Sequence, residues 1–367
     1  MDALDGLDAV GWATLQHGSG PADDVPDLLR AIVNGPPHVS DEAFITLFAA
    51  LWNEGTVYPA TAHVVPFLRR IAEHPDAPRR PQVLDLLGRI VRASAFPEID
   101  DPRRGREEVL ATPGDPPPEL AWALAAKRAV GAGEASWVAL LDDDDPQVRG
   151  EAAFVLSGLD ELSAHSVLAL TVRAVAERHH SALASVLLSL SEVDAKQAPS
   201  ILSTALKTGV PVVKLAAAVA LGRLGYPSDV EIAVDLLVAA IREPDKLDSD
   251  WQLVAGAESI GSDAREALVT LAPEQVRLAI GPLLAALPVD GCDTYQALRA
   301  LLELVFPEQG RVLGHEALSP VQRAVLERVV ATATLWDDMS DRYVLQHYFQ
   351  MRGLPGTRTE LRWFLGS

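Results

Sequence analysis

The chain has 367 residues, 49% of them apolar, with 51 acidic against 31 basic side chains and a formal charge of −20. That share of apolar residues excludes a disordered chain, and the acidic excess repels phosphate backbones, so nucleic-acid binding would require a local basic stripe. A single cysteine, Cys292, excludes an internal disulfide and fits a reducing compartment.

The first ten residues carry acids where a secretory signal needs a positive region, and no long apolar core follows them. No run reaches the roughly 18 apolar residues of a membrane span. A cytoplasmic protein with no membrane partner is therefore expected. Strand-like alternation is nearly absent, and helical spacing of apolar residues recurs along the whole chain, which predicts an all-α fold. In the N-terminal part the predicted helices are Asp41–Asn53, Pro59–His74 and Pro81–Ala93. Trp52 and Tyr58 bracket the turn from Asn53 to Val57, where Gly55 suits a left-handed helix C-cap and Pro59 opens the next helix. Polar Asn53, Glu54 and Thr56 beside two large aromatics, with His63 one turn on, form a candidate ligand or peptide contact at the end of a groove. The structural alternative is a well-determined inter-helix turn.

From Arg69 to Arg106 nine arginines face six acids. A nucleic-acid contact here is weighed against the commoner use of such arginines, a solvated helical face that offsets an acidic remainder, and the second is favoured. Prolines 97, 102, 113, 116, 117 and 118 then interrupt any helix pair. Residues 95–117 are expected to form a proline-rich loop, more disordered than ordered, with a short helix at Glu107–Ala111 that could dock. This loop divides an N-terminal helical stack, 1–94, from a C-terminal one, 118–367.

The C-terminal part predicts helices at Pro118–Val130, Gln147–Leu159, Ser163–Glu177, Ser181–Val193, Pro211–Leu224, Asp229–Arg242, Pro273–Leu287, Ser319–Ala333 and Pro355–Leu365. Catalytic and cofactor templates fail along it. Gly131-Ala132-Gly133 lacks the third glycine of a dinucleotide loop and follows a helix. Ala257 to Gly261 lacks the first glycine of a nucleophile elbow. Asp142 to Asp145 cannot start a calcium loop, because Gln147 stands where the sharp turn needs glycine; an acidic turn at the positive end of the helix opening near Pro146 is the better reading. Adjacent His179 and His180 point about 100° apart on a helix and cannot chelate one ion without other helices. They remain candidate binding residues, as does Trp251, because Trp contributes disproportionately at binding surfaces. His63 and His347, on predicted helices with aromatic company, suit half-buried polar positions. No metal site and no cofactor is expected.

The helices repeat. At an offset of 65, Pro146, Val148, Arg149, Ala152, Ala153, Leu156 and Leu159 fall on Pro211, Val213, Lys214, Ala217, Ala218, Leu221 and Leu224. A weaker copy sets Ala153, Leu156 and Leu159 on Ala184, Leu187 and Leu190, so the unit is about 31–34 residues, room for two helices. Paired alanines permit close helix approach, leucines fill the seam between pairs, and Arg149 or Lys214 is placed to bond an Asp of an adjacent turn. Stacking of such pairs predicts an α-solenoid.

The run from Asp145 to Leu159 resembles the D-P-x-V-R-x-x-A-A-x-A-L-x-x-L signature of HEAT repeats, including the short bacterial variety similar to phycobilisome-lyase repeats. Leu51 to Leu68 and the ending Gly353 to Leu361 resemble segments of uncharacterised actinobacterial HEAT-repeat proteins. The resemblance implies a solenoid of stacked antiparallel helix pairs that docks partners on a concave face, and it implies no reaction. The expected function is a non-enzymatic protein- or peptide-binding scaffold or adaptor, with a basic or amphipathic partner suited to its acidity. The alternatives are a lyase-like enzyme or enzyme subunit on the same fold and a small-molecule sensor in the groove near Trp52, Tyr58 and His63.

Overall fold

A computed structural model describes residues 3–93, 118–194, 196–225, 229–246, 248–287, 293–307, 314–336 and 346–366. The expected loop 95–117 and Cys292 lie outside the described residues. The chain is mostly helical, with 3% strand, and it divides into two compact units, residues 1–193 and 194–367. Residues on both sides of the proline-rich stretch thus belong to the first unit.

In the first unit the helices are α1 (Val25–Asn34), α2 (Pro37–Leu51), α3 (Thr61–Glu73), α4 (Arg80–Val91), α5 (Pro118–Gly131), α6 (Glu134–Leu140), α7 (Pro146–Ser157), α8 (Ala164–Ala176) and α9 (His180–Val193). Each packs on near neighbours in sequence: α1 on α2, α3 on α4 and α5, α4 on α7, α7 on α9, α8 on α9 and α6. Sequence signals set the boundaries. Proline occupies the first turn of α1, α2, α4 and α7, where a missing N–H removes no helical bond. Asp145 caps α7 by accepting from the Gln147 N–H at 2.8 Å, and Ser163 caps α8 by accepting from Ser166 N–H. The acidic turn therefore does what its position predicts.

Small residues bring the helices close. A Cβ on Gly88 of α4 would stand 2.3 Å from the Phe154 ring of α7, and one on Gly150 of α7 would stand 3.0 Å from Ser185 Oγ of α9. The seam holds Leu84, Leu87, Val148, Ala152, Val155 and Leu187, all fully buried.

Two features escape helical periodicity. Short hairpins β1 (Gln16–His17) with β2 (Gly20–Pro21), and β3 (Trp52–Asn53) with β4 (Thr56–Val57), precede α1 and α3. Strands of two residues are too short to show alternation. Glu54 and Gly55 have φ of 47° and 87°, the left-handed pair of a two-residue type I′ loop. Gly55 therefore serves a hairpin and not the expected helix C-cap, and Trp52 itself ends α2.

The second unit contains α10 (Ala198–Thr208), α11 (Pro211–Arg223), α12 (Val230–Arg242), α13 (Ile260–Val269), α14 (Pro273–Ala286), α15 (Thr294–Val305), α16 (Pro320–Ala331) and α17 (Arg358–Leu365). Here α11 packs on α10, α12 and α13, α13 on α15, and α16 on α17. Between Lys214 and Arg223, α11 is apolar on every face and buried from Leu215 through Gly222, as a helical stretch without a polar side must be. A Cβ on Gly222 would lie 2.8 Å from Ala267 Cβ of α13.

Candidate functional site

The expected site residues Trp52, Asn53, Glu54, Thr56, Tyr58 and His63 share the β3–β4 end of the first unit. Thr61 anchors that end. Its buried hydroxyl donates to Leu51 O at 2.9 Å and accepts from Tyr58 N–H at 3.1 Å, fixing the chain on both sides of the hairpin. The first hairpin lies alongside: Gly18 N–H donates to Ala50 O at 2.8 Å and Ala60 N–H to Gln16 O at 3.0 Å. A Cβ on Gly18 would meet the Tyr58 ring at 2.9 Å, so glycine is what lets the two hairpins touch.

Trp52 is half-buried, edge-on to Phe48 with ring centroids 5.7 Å apart, and Arg89 stands over its indole at 5.5 Å. Asn53 and Glu54 are exposed at the hairpin tip, and Thr56 and Tyr58 are half-buried. His63, on α3, and His347, in a short helical stretch at 346–351, are both exposed, which corrects the half-buried placement expected for them: each sits on the outward side of its helix.

His17, buried beneath the hairpins, donates from Nε2 to Asp24 Oδ1 at 2.8 Å. A histidine–carboxylate pair invites a catalytic reading. Its other nitrogen, Nδ1, accepts from Ser19 N–H at 3.0 Å, which fixes the tautomer and leaves no lone pair to act as a base. The pair holds the hairpin.

His179 and His180 lie elsewhere, at the start of α9, and both are exposed; His179 Nδ1 meets Ser181 Oγ at 3.1 Å. Trp251 belongs to the second unit. It is fully buried, and its indole N–H donates to Asp263 Oδ2 at 3.0 Å, so it presents no surface to a partner. Burial pushes the Asp263 carboxyl up, against the opposing pull of Arg223, Trp251 and the Glu258 N–H. Among the described residues no group of three or more His, Cys, Asp or Glu side chains is placed to hold a metal ion, and no helix is long and apolar enough to cross a membrane.

The arginine-rich stretch is engaged internally. Arg70 donates to Asp5 O and stands over Phe67; Arg79 pairs with Asp41; Arg80 binds Ala72 O and the Asp143 carboxylate; Arg89 forks Asp85. Arg92 binds Phe154 O, Ser157 Oγ and Glu192 Oε2. Arginines tied into carbonyls and carboxylates offer few donors to a phosphate backbone. Arg103, Arg104 and Arg106 lie outside the described residues. An open hollow of about 650 Å³, lined by Arg79, Arg80 and Asp142 to Asp145 among others, sits beside this network.

Helical spacing places Leu168, Val172 and Val175 of α8 on one face, where they are 60%, 57% and 64% exposed. The sequence predicts this helix over Ser163–Glu177 without marking an uncovered face. Its signal was available in the uncharged run Ala164, Leu168, Val172, Ala176, but which side of a helix stays uncovered depends on packing partners that the sequence does not name.

No family model matches the sequence, and none of the curated proteins searched matches it. Among solved structures, the crystal structure of an engineered protein from the Northeast Structural Genomics Consortium is similar at 15% identity and a TM-score of 0.32, over 94% of this chain and 99% of that one. A likeness that loose carries no argument about fold or function.

Proposed function

We propose that the chain is a HEAT-like α-solenoid of stacked antiparallel helix pairs that works as a non-enzymatic scaffold or adaptor, binding a basic or amphipathic protein or peptide. The observation that carries this reading is the repeated signature. Asp145 to Leu159 and Pro211 to Leu224 both open helices, α7 and α11, that use their alanines and glycines for close approach to neighbouring helices. Acidity supports a cationic partner, since a charge of −20 steers such molecules toward the chain. The histidine–aspartate pair beneath the hairpins is closed to chemistry by the Ser19 N–H, which weighs against an enzyme at that end.

The docking wall is not the second helix of each pair throughout. From Ala184 through Ser191, α9 is buried, and α11 is buried over most of its length. First helices and turns therefore supply the open surface. A panel of fluorescent peptides, matched in apolar content but either Lys-rich or Glu-rich, tests the reading. The Lys-rich members should bind and weaken steeply with added salt; equal binding of both sets, or binding by neither, would contradict it.

A further inference from the structure

We infer that the exposed face of α8 is a docking surface for a basic amphipathic helix, an inference that rests on the partner-binding reading above and names its place and occupant. Ala164, Leu168 and Val172 recur every four residues, Val175 and Ala176 follow three and four residues after Val172, and all five are exposed. They form an uncharged stripe about 18 Å long at 1.5 Å per residue, running the length of the helix. Leucine and valine side chains more than half in water, aligned along one helix, lose hydration cost only when another apolar face covers them. Anchors at this spacing are what a partner helix reads when it lies along a groove or beside a helix.

Charge around the stripe selects the occupant. Beyond the N-terminal end lie Asp160, 50% exposed, and Glu161, exposed. Beside the C-terminal half lie Asp142, 88% exposed, and exposed Asp144. Asp142 and Asp160 are each paired within the chain, so the carboxylates that face a partner are exposed Glu161 at one end and exposed Asp144 at the other, and the same pairs engage the nearby cations. Arg173 binds Asp142 Oδ1 and Leu141 O and lies 3.8 Å from Glu177, and Lys127 pairs with Asp160. Arg178 stands exposed past the last turn, where a partner's own acidic residue can meet it. An apolar stripe with carboxylates at both ends fits a helix whose apolar face is flanked by lysines. A second copy of the chain would bring like charges together, and an anionic membrane surface would be repelled.

The probe is a labelled 14-residue peptide of Leu and Lys with leucines at i, i+3, i+4 and i+7, compared with its Leu/Glu counterpart by fluorescence anisotropy. The full chain should bind the Lys peptide. Leu168→Glu/Val172→Glu and the milder Leu168→Ser/Val172→Ser should each weaken it at least ten-fold with unchanged circular dichroism. Ile45→Glu, which alters an exposed apolar residue on α2, should leave binding unchanged. If the chain binds the peptide and both double variants bind equally well, the α8 assignment falls while partner binding stands; if the chain binds neither peptide, both fall. Concentration-dependent self-association that the α8 variants abolish would assign the stripe to a second copy and overturn the proposal.

Discussion

The guanidinium of Arg149 on α7 donates to both carboxylate oxygens of Glu177, at 2.7 Å and 2.8 Å, while its remaining fork reaches the carbonyls of Asp143 and Asp144. One side chain thus ties the acidic turn before α7 to the residue that ends α8. Glu177 is buried, and it also accepts from the backbone N–H groups of Arg178 and His179. Replacing Arg149 by Met removes both of its hydrogen bonds and leaves that buried carboxylate only Arg173, 3.8 Å away, as a countercharge, which costs about 3 kcal/mol. Arg149→Lys keeps the charge but loses the two-pronged geometry and should cost less. Urea unfolding followed by circular dichroism measures both.

The same pair sets an acid limit. Burial pushes the Glu177 carboxyl up, but the Arg149 hydrogen bonds and the two backbone N–H groups outweigh it and hold the carboxyl down at about 2. A carboxyl lowered on folding contributes stability that is complete above its unfolded value, about 4.3, and is lost as pH falls toward 2. Wild type should lose stability between pH 4.5 and 2 (about 4.3 down to about 2 for this group), and Glu177→Gln should flatten that slope. Thermal melts across the range give the answer.

Glu151 behaves in the opposite sense. Its Oε2 is shut off from solvent with no hydrogen-bond partner. Burial, with repulsion from Asp85, drives its carboxyl well above the ordinary range despite the opposing charges of Arg89 and Arg92. A raised carboxyl favours folding below its unfolded value and loses that contribution as pH rises through the folded one. Glu151→Gln should therefore raise the melting temperature at pH 8 and change it little at pH 4 (the unfolded value is about 4.3). A uniform shift at both pH values would mean that the carboxyl does not titrate there.

Gly88 is a packing residue. The Phe154 ring that a Cβ would strike is itself covered by Arg92, whose guanidinium lies 3.8 Å from its centroid. With the ring held from the other side, Gly88→Leu overpacks the α4–α7 seam and should cost about 2 kcal/mol or more, as in other overpacked cores. Chemical denaturation of that variant beside Gly281→Leu, which meets nothing within 4 Å, separates crowding from loss of glycine.

Much of the helical framework is legible in the sequence because proline, serine and aspartate punctuate it. The predicted Pro211–Leu224 is α11, Pro211–Arg223, and the predicted Ser181–Val193 is α9, His180–Val193. Helices α1, α6, α10, α13 and α15 are not among the clearest helical runs of the sequence. Two reasons are visible. α6 has only seven residues, and α13 carries Asp263 and Arg265 on buried positions, which breaks the apolar period. Buried charges of this kind are satisfied by partners distant in sequence, Trp251 and Arg223 for Asp263, Gln296 and Glu303 for Arg265. Arg149 was expected to bond an Asp of an adjacent turn; it takes that turn's carbonyls and gives its fork to Glu177. At the β3–β4 end, clustering of Trp52 to His63 was readable from proximity, whereas the neighbouring Gly18 hairpin was not.

Hydrogen exchange of the α8 amides, with and without the Leu/Lys peptide, decides whether a partner helix docks on this face. Docking on the stripe predicts slowed exchange along Ala164–Ala176 and in the turn at Asp142–Asp145, with the buried amides of α9 unchanged. Unchanged exchange across α8 at a saturating peptide concentration, or protection confined to another helix, would contradict it.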